Sequence, residues 1–231
     1  MAILECKGLS KRFGSVQALD NVDLTVEPGR VIGLLGPNGS GKTTLIKLAN
    51  GLLTPTAGEL LIAGEKPGPA TKALVSYLPD KPYLAEWMSA KQLMDFFADF
   101  YKDFDRDLAM EMLLRLNIGP EQRIKQMSKG TREKVQLIMV MSRRAKLYLL
   151  DEPIGGVDPA TRDYILDTII RNYNPEAAVV ISTHLIADVE QVLDDVIFIN
   201  NGRIVLQSSV DDIREERGMS VDQTFREVFK C

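Results

Sequence analysis

A five-residue apolar run leads directly into a glycine-rich segment, and this junction constrains the fold more than any other feature of the sequence. The run is Val31–Leu35, and the segment Gly36–Thr44 has the sequence Gly-Pro-Asn-Gly-Ser-Gly-Lys-Thr-Thr. A short run that is apolar throughout is typical of a strand covered on both faces. Leu45, Leu48 and Leu52 then follow at helical spacing. The junction therefore predicts a strand, a tight loop and a helix in immediate succession.

The glycine-rich segment matches the P-loop pattern, which requires a strand before it and a helix after it. Its glycines allow backbone N–H groups to turn inward around phosphate oxygens, where a Cβ atom would intrude. We expect Lys42 to give positive charge to the terminal phosphates and Thr43 to offer its hydroxyl to Mg²⁺. A purely structural glycine turn is the alternative. The residues predicted to bind the nucleotide are Gly36, Pro37, Asn38, Gly39, Ser40, Gly41, Lys42, Thr43 and Thr44.

A second apolar run supplies the acidic residues that nucleotide hydrolysis needs. The run Lys146–Leu150 ends in Asp151, Glu152 and Pro153. Hydrolysis requires a carboxylate that helps to hold the metal ion and a base that orients the attacking water. We predict that Asp151 reaches the Mg²⁺ shell and that Glu152 polarises the water. An acidic pair at a strand end is also common as a solvated surface feature, so the pair by itself leaves that alternative open.

The single histidine of the chain follows another predicted strand. Ala178–Ser182 is rich in apolar and β-branched residues, and His184 comes two residues later. Ligands of parallel α/β sheets collect at the carboxyl ends of the strands. We therefore predict that His184 donates a hydrogen bond to the γ-phosphate or to Glu152. An ordinary core or surface histidine is the alternative, and it is the commoner one when a histidine is considered alone.

Composition excludes several other kinds of protein. The 231 residues suffice for one large or two small domains, and 28 Lys and Arg against 32 Asp and Glu give a net charge of −4. The chain thus lacks the bulk cationic field of a nucleic-acid-binding protein, and no nucleic-acid partner is expected. No apolar run approaches the roughly 18 residues of a membrane span, and the first residues lack a signal-peptide pattern, which favours the cytoplasm. Cys6 and Cys231 have no metal-binding spacing, so neither a zinc site nor a disulfide framework is expected.

The region 81–125 differs in composition from the rest of the chain. Seven of the 15 aromatic residues lie between Tyr83 and Phe104. Apolar side chains repeat every three or four residues within Ser89–Phe104, which predicts a helix with one apolar face. These side chains are Leu93, Phe96, Phe97, Phe100, Tyr101 and Phe104. With a second helix predicted over Asp107–Leu116, we expect a small helical insert, and we favour a partner groove near residues 80–104 over core packing alone.

Strands and turns are predicted on both sides of this insert. The predicted strands outside the three runs above are residues 2–9, 17–26, Glu59–Ile62, Val196–Ile199 and Arg203–Leu206. The last two flank Asn200-Asn201-Gly202, which is a hairpin signal. Asp158 followed by Pro159 predicts a helix start, with the aspartate as the cap. The apolar spacing of Val221, Phe225, Val228 and Phe229 predicts a tail helix that packs on the core.

Five motifs together resemble the ABC-type ATPase domain in both order and spacing. They are Gly36–Thr44, Ser128–Gly130, Leu147–Pro153, Gly156–Asp158 and Ser182–His184. The resemblance covers nearly the whole chain, from Phe13 to the hairpin after His184. It implies an α/β fold, a RecA-like P-loop NTPase core with an N-terminal antiparallel β subdomain and an inserted helical subdomain. The corresponding division is a nucleotide-binding core of 1–80 and 126–206, a helical subdomain of 81–125 and a C-terminal tail helix of 207–231.

The resemblance also implies ATP and Mg²⁺ as cofactors and a dimer that encloses two nucleotides. In that arrangement Ser128, Lys129 and Gly130 of one subunit cap the γ-phosphate held by the P-loop of the other. Ser128 precedes an apolar-periodic stretch, so we expect it at a helix N-terminus, where exposed N–H groups bind anions. An ordinary helix cap is the alternative. The resemblance implies that Phe13 stacks on adenine, and a buried strand-end residue is the alternative. It also implies that Asp158 lies in the loop that links the two sites, besides capping its helix.

Two positions depart from the family pattern. The signature has the sequence Met127-Ser-Lys-Gly-Thr-Arg132 instead of Leu-Ser-Gly-Gly-Gln, so Lys129 replaces a glycine and adds a cation. That cation either attracts the γ-phosphate or faces solvent. Asp80 occupies the place where the family usually has glutamine, and its side chain is shorter and charged. We predict that Asp80 remains in the outer shell of the metal ion.

Three classes of function compete. The resemblance favours the ATP-binding and ATP-hydrolysing subunit of an ABC transporter, peripheral on the inner face of the cell membrane. Its partners would be a second copy or a paralogous ATPase subunit and a separate integral membrane permease, and the compact cassette favours an exporter. A soluble ABC-type ATPase of a cytosolic assembly complex is the alternative. A P-loop kinase is the third class, but it would leave the signature segment and His184 without a role.

Overall fold

Two β-sheets and the helices around them make up the computed structural model, which describes residues 1–229; Lys230 and Cys231 lie outside the described residues. The strands are β1 (Leu4–Phe13), β2 (Val16–Val26), β3 (Val31–Leu35), β4 (Ala57–Ile62), β5 (Val75–Leu78), β6 (Leu147–Asp151), β7 (Ala178–Thr183), β8 (Asp195–Asn200) and β9 (Arg203–Ser209). The helices are α1 (Lys42–Ala49), α2 (Pro69–Leu74), α3 (Ala90–Phe100), α4 (Arg106–Arg115), α5 (Lys129–Met141), α6 (Pro159–Asn172), α7 (Ile186–Val189), α8 (Val210–Arg217) and α9 (Val221–Phe229). Within residues 1–229, no helix has both the length and the apolar character that crossing a membrane requires.

The larger sheet sets the position of the predicted nucleotide site. Its strand order is β5-β6-β7-β3-β8-β9, and all neighbouring strands are parallel except β8 and β9. The carboxyl ends of β3, β6 and β7 therefore lie side by side at one edge of the sheet, where ligands of such sheets bind. The smaller sheet has the order β2-β1-β4 and is antiparallel. It lies against the same core as α1.

The large sheet is covered on both faces. In β3, Ile32 and Leu34 pack with α1 and the smaller sheet, whereas Val31 and Leu35 pack with α5 and α6 on the opposite face. All five residues of the strand are buried. Each such aliphatic side chain contributes about 2 kcal/mol through burial. The two covered faces explain why the run contains no alternating polar residue.

The structure lengthens the first predicted strand and confirms the hairpin. β1 extends past residue 9 as far as Phe13, which pairs with Val16 across the Gly14 turn. In the hairpin between β8 and β9, Asn201 and Gly202 have φ angles of 46° and 76°. Two successive positive φ angles are what a type I′ turn requires, and asparagine followed by glycine adopts them at low cost.

The helix predicted within residues 89–104 is shorter than expected, and its apolar face is divided. α3 ends at Phe100, and Tyr101 has an extended conformation. Phe97 packs in the core, whereas Phe100 is 69% exposed and its ring lies 4.6 Å from that of Phe96. Sequence periodicity locates the apolar arc of a helix but does not say how much of that arc its neighbours cover. The division of this face was therefore not predicted.

A buried arginine explains where α3 ends. Arg143, only 2% exposed, pairs with Asp103 at 3.0 Å between Nη2 and Oδ2 and lies 3.8 Å from the centre of the Tyr101 ring. It also donates to the backbone carbonyls of Ala73, at 2.7 Å, and Val75. A buried guanidinium requires such partners for its donors. Because these partners hold the chain after Phe100 in place, the helix does not continue.

The C-terminal segment predicted as one helix consists of a strand end and two helices. β9 continues to Ser209, and Gly218, with a φ of 62°, ends α8 in the left-handed conformation typical of a helix terminus. The apolar face of α9 packs on the core as predicted, with the Phe225 ring edge-to-face on Phe198 at a centroid distance of 5.3 Å.

Candidate active site

The junction between β3 and α1 has the geometry of a phosphate-binding loop. Gly39 and Gly41 have φ angles of 81° and 113°, which favour glycine. A Cβ atom on Gly36 would lie 2.3 Å from the backbone oxygen of Ile199, so the loop passes too close to β8 for any side chain. These three glycines let the loop turn from the buried strand into the first turn of α1. The N-terminus of α1 then points its free N–H groups toward the space that the loop surrounds.

Lys42 is the buried cation of the site. It is 5% exposed, and its Nζ atom donates to the carbonyls of Gly36 at 2.7 Å and Pro37 at 3.2 Å. The same atom lies 3.6 Å from Oε1 of Glu152. Burial lowers the pKa of Lys42, and the negative charges of Glu152 and Asp151 oppose this shift. The ammonium group is thus held in the loop by carbonyls and a nearby carboxylate.

Asp151 is the buried carboxylate at the end of β6. It is 1% exposed, and its Oδ1 atom accepts hydrogen bonds from Ser182 at 2.5 Å and from Thr43 at 3.2 Å. Its Oδ2 atom has no hydrogen-bond partner within the described residues. Burial raises the pKa of this carboxyl group, against the effect of the two hydroxyl donors. A buried carboxylate with a free oxygen beside a threonine hydroxyl fits a hard divalent cation such as Mg²⁺.

Glu152 carries its side chain from a strained backbone. Its φ angle of 50° lies in the left-handed region, which non-glycine residues adopt mainly where the surroundings fix them. Its backbone N–H donates to Ser182 at 2.9 Å, which fixes the strand end. Oε2 accepts from the Thr183 hydroxyl at 3.1 Å, and Nδ1 of His184 lies 3.1 Å from the same oxygen. The predicted contact between His184 and Glu152 is therefore present.

Lys42, Glu152 and His184 line one open cavity of about 510 Å³, a size suited to a nucleotide. Among the described residues, the buried Asp151 is not part of this lining. Its lining includes residues 38–44 of the loop, Glu152 and His184. Asp80, which follows β5, lies at the exposed rim of the same cavity. The negative charges of Asp151 and Asp80, added to the larger effect of burial, raise the pKa of Tyr77 to about 12.

Phe13 lies at the end of β1 beside this cavity. It is 46% exposed, which rules out the alternative of a buried strand-end residue. Lys11 lies over its ring at 5.0 Å, and its cross-strand neighbour Val16 lines the cavity. An exposed ring in this position can stack on a base.

The signature residues lie outside the cavity. Ser128 caps α5, with its hydroxyl oxygen accepting from the N–H of Thr131 at 3.1 Å. Lys129 is exposed and lies 3.7 Å from Glu133, one turn along the helix. Within the described part of the chain, the cavity lining includes none of Ser128, Lys129 and Gly130. The prediction of a helix N-terminus at Ser128 is confirmed, and within one chain it does not meet the P-loop.

Asp158 also lies outside the cavity and caps α6 as predicted. Its carboxylate accepts from the N–H of Thr161 at 3.0 Å and from the hydroxyl of Thr161 at 2.7 Å. These hydrogen bonds lower the pKa of Asp158. The carboxylate and the first residues of α6 are exposed at the protein surface.

Two residues to which the sequence predictions assigned no role support the site. Ser182 and Thr183 donate to Asp151 and Glu152 respectively. Their signal was available, because two polar residues end the otherwise apolar β7, and Ser182 stands opposite Asp151 in the parallel register. Gly155 and Gly156 also line the cavity after Glu152; Gly156 belongs to one of the five motifs, whereas Gly155 belongs to none of them.

A second cavity, of about 500 Å³, lies between the C-terminal end of α3 and the large sheet. We call it the aromatic groove. Its lining residues are Lys47, Asn50, Leu52, Lys72, Val75, Ser76, Tyr77, Pro79, Tyr83, Phe97, Tyr101, Val140 and Arg143. Tyr83 is about half exposed, and Trp87, further along the same loop, is 65% exposed. An apolar groove whose lining includes a half-exposed tyrosine is the kind of surface that protein partners use.

Comparison with known proteins agrees with the motif resemblance. A family model described as "ABC transporter" matches residues 19–155. The uncharacterized ABC transporter ATP-binding protein YxlF of Bacillus subtilis is 32% identical over 95% of this chain and 75% of its own length. The SkfA peptide export ATP-binding protein SkfE of the same organism is 28% identical over 94% of this chain and 93% of its own.

A solved structure described as the ATP-binding subunit of an ABC transporter has the same fold. It superimposes with a TM-score of 0.86 at 29% identity, covering 98% of this chain and 99% of its own. The predicted fold class, a RecA-like α/β core with an antiparallel β subdomain and inserted helices, is thereby confirmed.

Proposed function

The chain belongs to the ATP-binding proteins of the ABC transporter family, and from this premise we propose that it drives a separate integral membrane permease by binding and hydrolysing ATP. As a member of this family it is an ATPase. One observation carries the assignment of the site: the buried Asp151 accepts from the P-loop Thr43 through Oδ1, while its Oδ2 oxygen has no hydrogen-bond partner within the described residues. In a purely structural role, a buried oxygen without a hydrogen-bond partner would only destabilise the fold.

The proposed metal site consists of Thr43 and Asp151, with Asp80 in the outer shell. The Thr43 hydroxyl and Asp151 already contact each other at 3.2 Å, and Asp80 borders the same cavity. When bound, Mg²⁺ would neutralise charge on the phosphate oxygens of ATP. Thr43 and Asp151 would hold the ion, and Lys42 would hold the terminal phosphates.

Glu152 is the proposed base and His184 its positioning partner. The carboxylate is fixed by Thr183, by His184 and by the strained backbone at its own Cα. In this position it can accept a proton from a water molecule that attacks the γ-phosphate. With both ring nitrogens protonated, His184 can also donate to that phosphate through Nε2.

The proposed active form contains a second copy or a paralogous ATPase subunit. Ser128, Lys129 and Gly130 stand at the exposed N-terminus of a 13-residue helix, and Asp158 stands at another exposed helix start. Free N–H groups at a helix N-terminus bind anions. We propose that this end of α5 completes the ATP site of the partner subunit, whose own α5 completes this one. Lys129 would then add a positive charge near the γ-phosphate.

The aromatic groove is the proposed contact for the permease, on the inner face of the cell membrane. It lies where residues 81–125, the proposed helical subdomain, meet the proposed core of 1–80 and 126–206. Within residues 207–229, α9 packs on that core through Phe225, and no residue of this stretch lines the groove. Export is the favoured direction, since the relative SkfE is named as a peptide export protein.

Purification from a native membrane tests the proposal most broadly. The chain, tagged and expressed at its natural level, is expected to co-purify with a polytopic membrane protein whose presence stimulates ATP hydrolysis. Co-purification with a soluble complex and no membrane protein would contradict the transporter role and favour the cytosolic ATPase instead. If the purified chain hydrolyses no ATP at any Mg²⁺ concentration, that result contradicts the assigned site itself.

A further inference from the structure

The loop between β5 and α3 contacts both cavities. We call residues 79–88 the bridging loop. Asp80 of this loop borders the nucleotide cavity, while Pro79 and Tyr83 line the aromatic groove. Only two residues separate Asp80 from Tyr83. The position of this short segment therefore affects both surfaces together.

A buried glutamine on α5 holds the middle of the bridging loop. Gln136 is 2% exposed, and its Oε1 oxygen accepts a hydrogen bond from the backbone N–H of Tyr83 at 3.0 Å. The same side chain borders a small cavity of about 30 Å³ together with Asp80, Asp151 and Glu152. Gln136 thus lies directly behind the carboxylates of the nucleotide site.

Other contacts attach the far end of the bridging loop and its surface. The N–H groups of Ile124 and Lys125 donate to the carbonyls of Met88 and Glu86, at 2.9 and 3.0 Å. Arg132 pairs with Glu86 at 2.7 Å, but both side chains are accessible to solvent, and such pairs contribute little. Gln136 itself is buried, although Tyr83 is about half exposed, so solvent weakens this bond less than the Arg132 pair. Of the loop contacts named here, it lies nearest to Asp80 along the chain.

We propose that Gln136 is a positioning residue that couples the bridging loop, and with it Asp80, to α5. This inference rests on the proposed function of the site. Gln136 lies eight residues after Ser128 on the same helix, a distance of about 12 Å. Contact of Ser128 with a partner's nucleotide therefore biases the position of Asp80 in this subunit, and a ligand in the aromatic groove acts on the same loop.

The burial of an amide at this position supports a specific role. The neighbouring residues on α5, Val135, Leu137 and Ile138, are all buried and apolar. An apolar side chain at 136 would cost nothing in desolvation, whereas a buried amide is retained only where its hydrogen bonds repay that cost. The bond to Tyr83 spans 53 residues of sequence, so it serves no local helix or turn.

The first test measures the exchange of the Tyr83 amide by NMR, without nucleotide. Gln136→Met keeps the length of the side chain and removes the acceptor. Because the Tyr83 amide loses one hydrogen bond, we expect its exchange to accelerate roughly five-fold. Unchanged exchange at Tyr83 in the methionine variant would overturn the proposal.

A matched control distinguishes positioning from general stability. Gln92 makes the same kind of bond within the helical region, since its Oε1 accepts from the N–H of Ser89 at 2.9 Å. Gln92→Met should accelerate exchange at Ser89 and leave Tyr83 unaffected. Acceleration throughout the chain in Gln136→Met, with a lowered melting temperature and no excess at Tyr83, would mean a structural role only and would overturn the proposal.

The second test separates kcat from KM in ATP hydrolysis. Because Asp80 loses its fixed position, we expect Gln136→Met to lower kcat roughly ten-fold while the KM for ATP changes less than about two-fold. Gln92→Met should leave both unchanged. Equal kcat values for Gln136→Met and Gln92→Met would overturn the coupling. An inactive wild-type chain would contradict the proposed function instead, and the exchange experiment, which uses no nucleotide, would still decide the role of Gln136.

Discussion

The P-loop and the start of α5, the two parts of the proposed ATP site, differ in how completely a single chain forms them. At the P-loop, Lys42 and Asp151 are buried, and hydroxyls, carbonyls and a carboxylate already hold them in place. At the start of α5, Ser128 and Lys129 are exposed and make contacts only within their own helix among the described residues. A buried site is organised before its ligand arrives, whereas an exposed helix end gains most of its interactions on binding. We therefore expect one chain to bind ATP and two to hydrolyse it.

Glu152→Gln should have the largest effect. The amide keeps the size of the side chain but cannot accept the proton from water, so we expect ATP turnover to fall roughly 1000-fold while ATP still binds. Phosphate release measures the turnover, and fluorescent nucleotide binding measures the affinity. Glu121→Gln, an exposed residue paired with Lys91, serves as control and should be unchanged. Turnover near the wild-type rate would remove Glu152 as the base.

Lys42→Met tests the P-loop half alone. Methionine fills the same space without the charge, and loss of a buried charge-assisted contact to phosphate should weaken ATP binding by a single chain about 100-fold. Titration of the chain with nucleotide at low protein concentration measures this. Binding within a few-fold of wild type would mean that the buried ammonium does not hold the phosphates.

Ser128→Ala tests the other half. ATP binding by a single chain should change less than about two-fold, while turnover falls about ten-fold because one contact to the partner's nucleotide is lost. The variant also loses a helix cap worth about 1 kcal/mol. Ser209→Ala is the matched control, since Ser209 caps α8 in the same way with a 2.9 Å bond from Asp212. If both variants lose turnover equally, only stability is involved, and the proposed contact is wrong.

The stability change in Asp151→Asn should be the smallest of these effects, although the same variant also removes a proposed metal ligand. Burial raises the pKa of this carboxyl from its ordinary value of 3.8. The folded state therefore binds this proton more tightly than the unfolded state, so ionisation of Asp151 lowers stability as the pH rises above 3.8. Asparagine avoids that cost, and we expect a gain of about 1 kcal/mol at pH 7. Urea unfolding at several pH values should show that this gain in the free energy of unfolding vanishes below the ordinary pKa. A lower free energy of unfolding at pH 7 in the variant would contradict the raised pKa of Asp151.

The meeting of the P-loop with Asp151, Glu152 and His184 could be predicted because parallel strands align their carboxyl ends. Each of these residues follows an apolar run long enough to identify a strand from sequence. The exposed ring of Phe100 could not be predicted, since periodicity does not reveal which neighbours cover a helix. The end of α3 depends on Arg143, which lies 40 residues beyond its partner Asp103.

The hydrogen bond between Gln136 and Tyr83 could not be predicted either, because its two partners lie far apart in the sequence. A single glutamine in an apolar helix indicates no partner, and the partner is a backbone N–H, which every residue except proline carries. Local motifs therefore identified the chemistry of the site, whereas contacts between distant segments, which set the position of Asp80, required the fold.

Sedimentation of the Glu152→Gln chain with and without ATP and Mg²⁺ tests most directly whether one chain holds only half of each ATP site. The account predicts a monomer without nucleotide and a dimer that retains two ATP molecules when ATP and Mg²⁺ are present. Adding Ser128→Ala to the same chain should weaken this dimer without preventing ATP binding. A chain that binds ATP and remains a monomer at every accessible protein concentration would contradict the account.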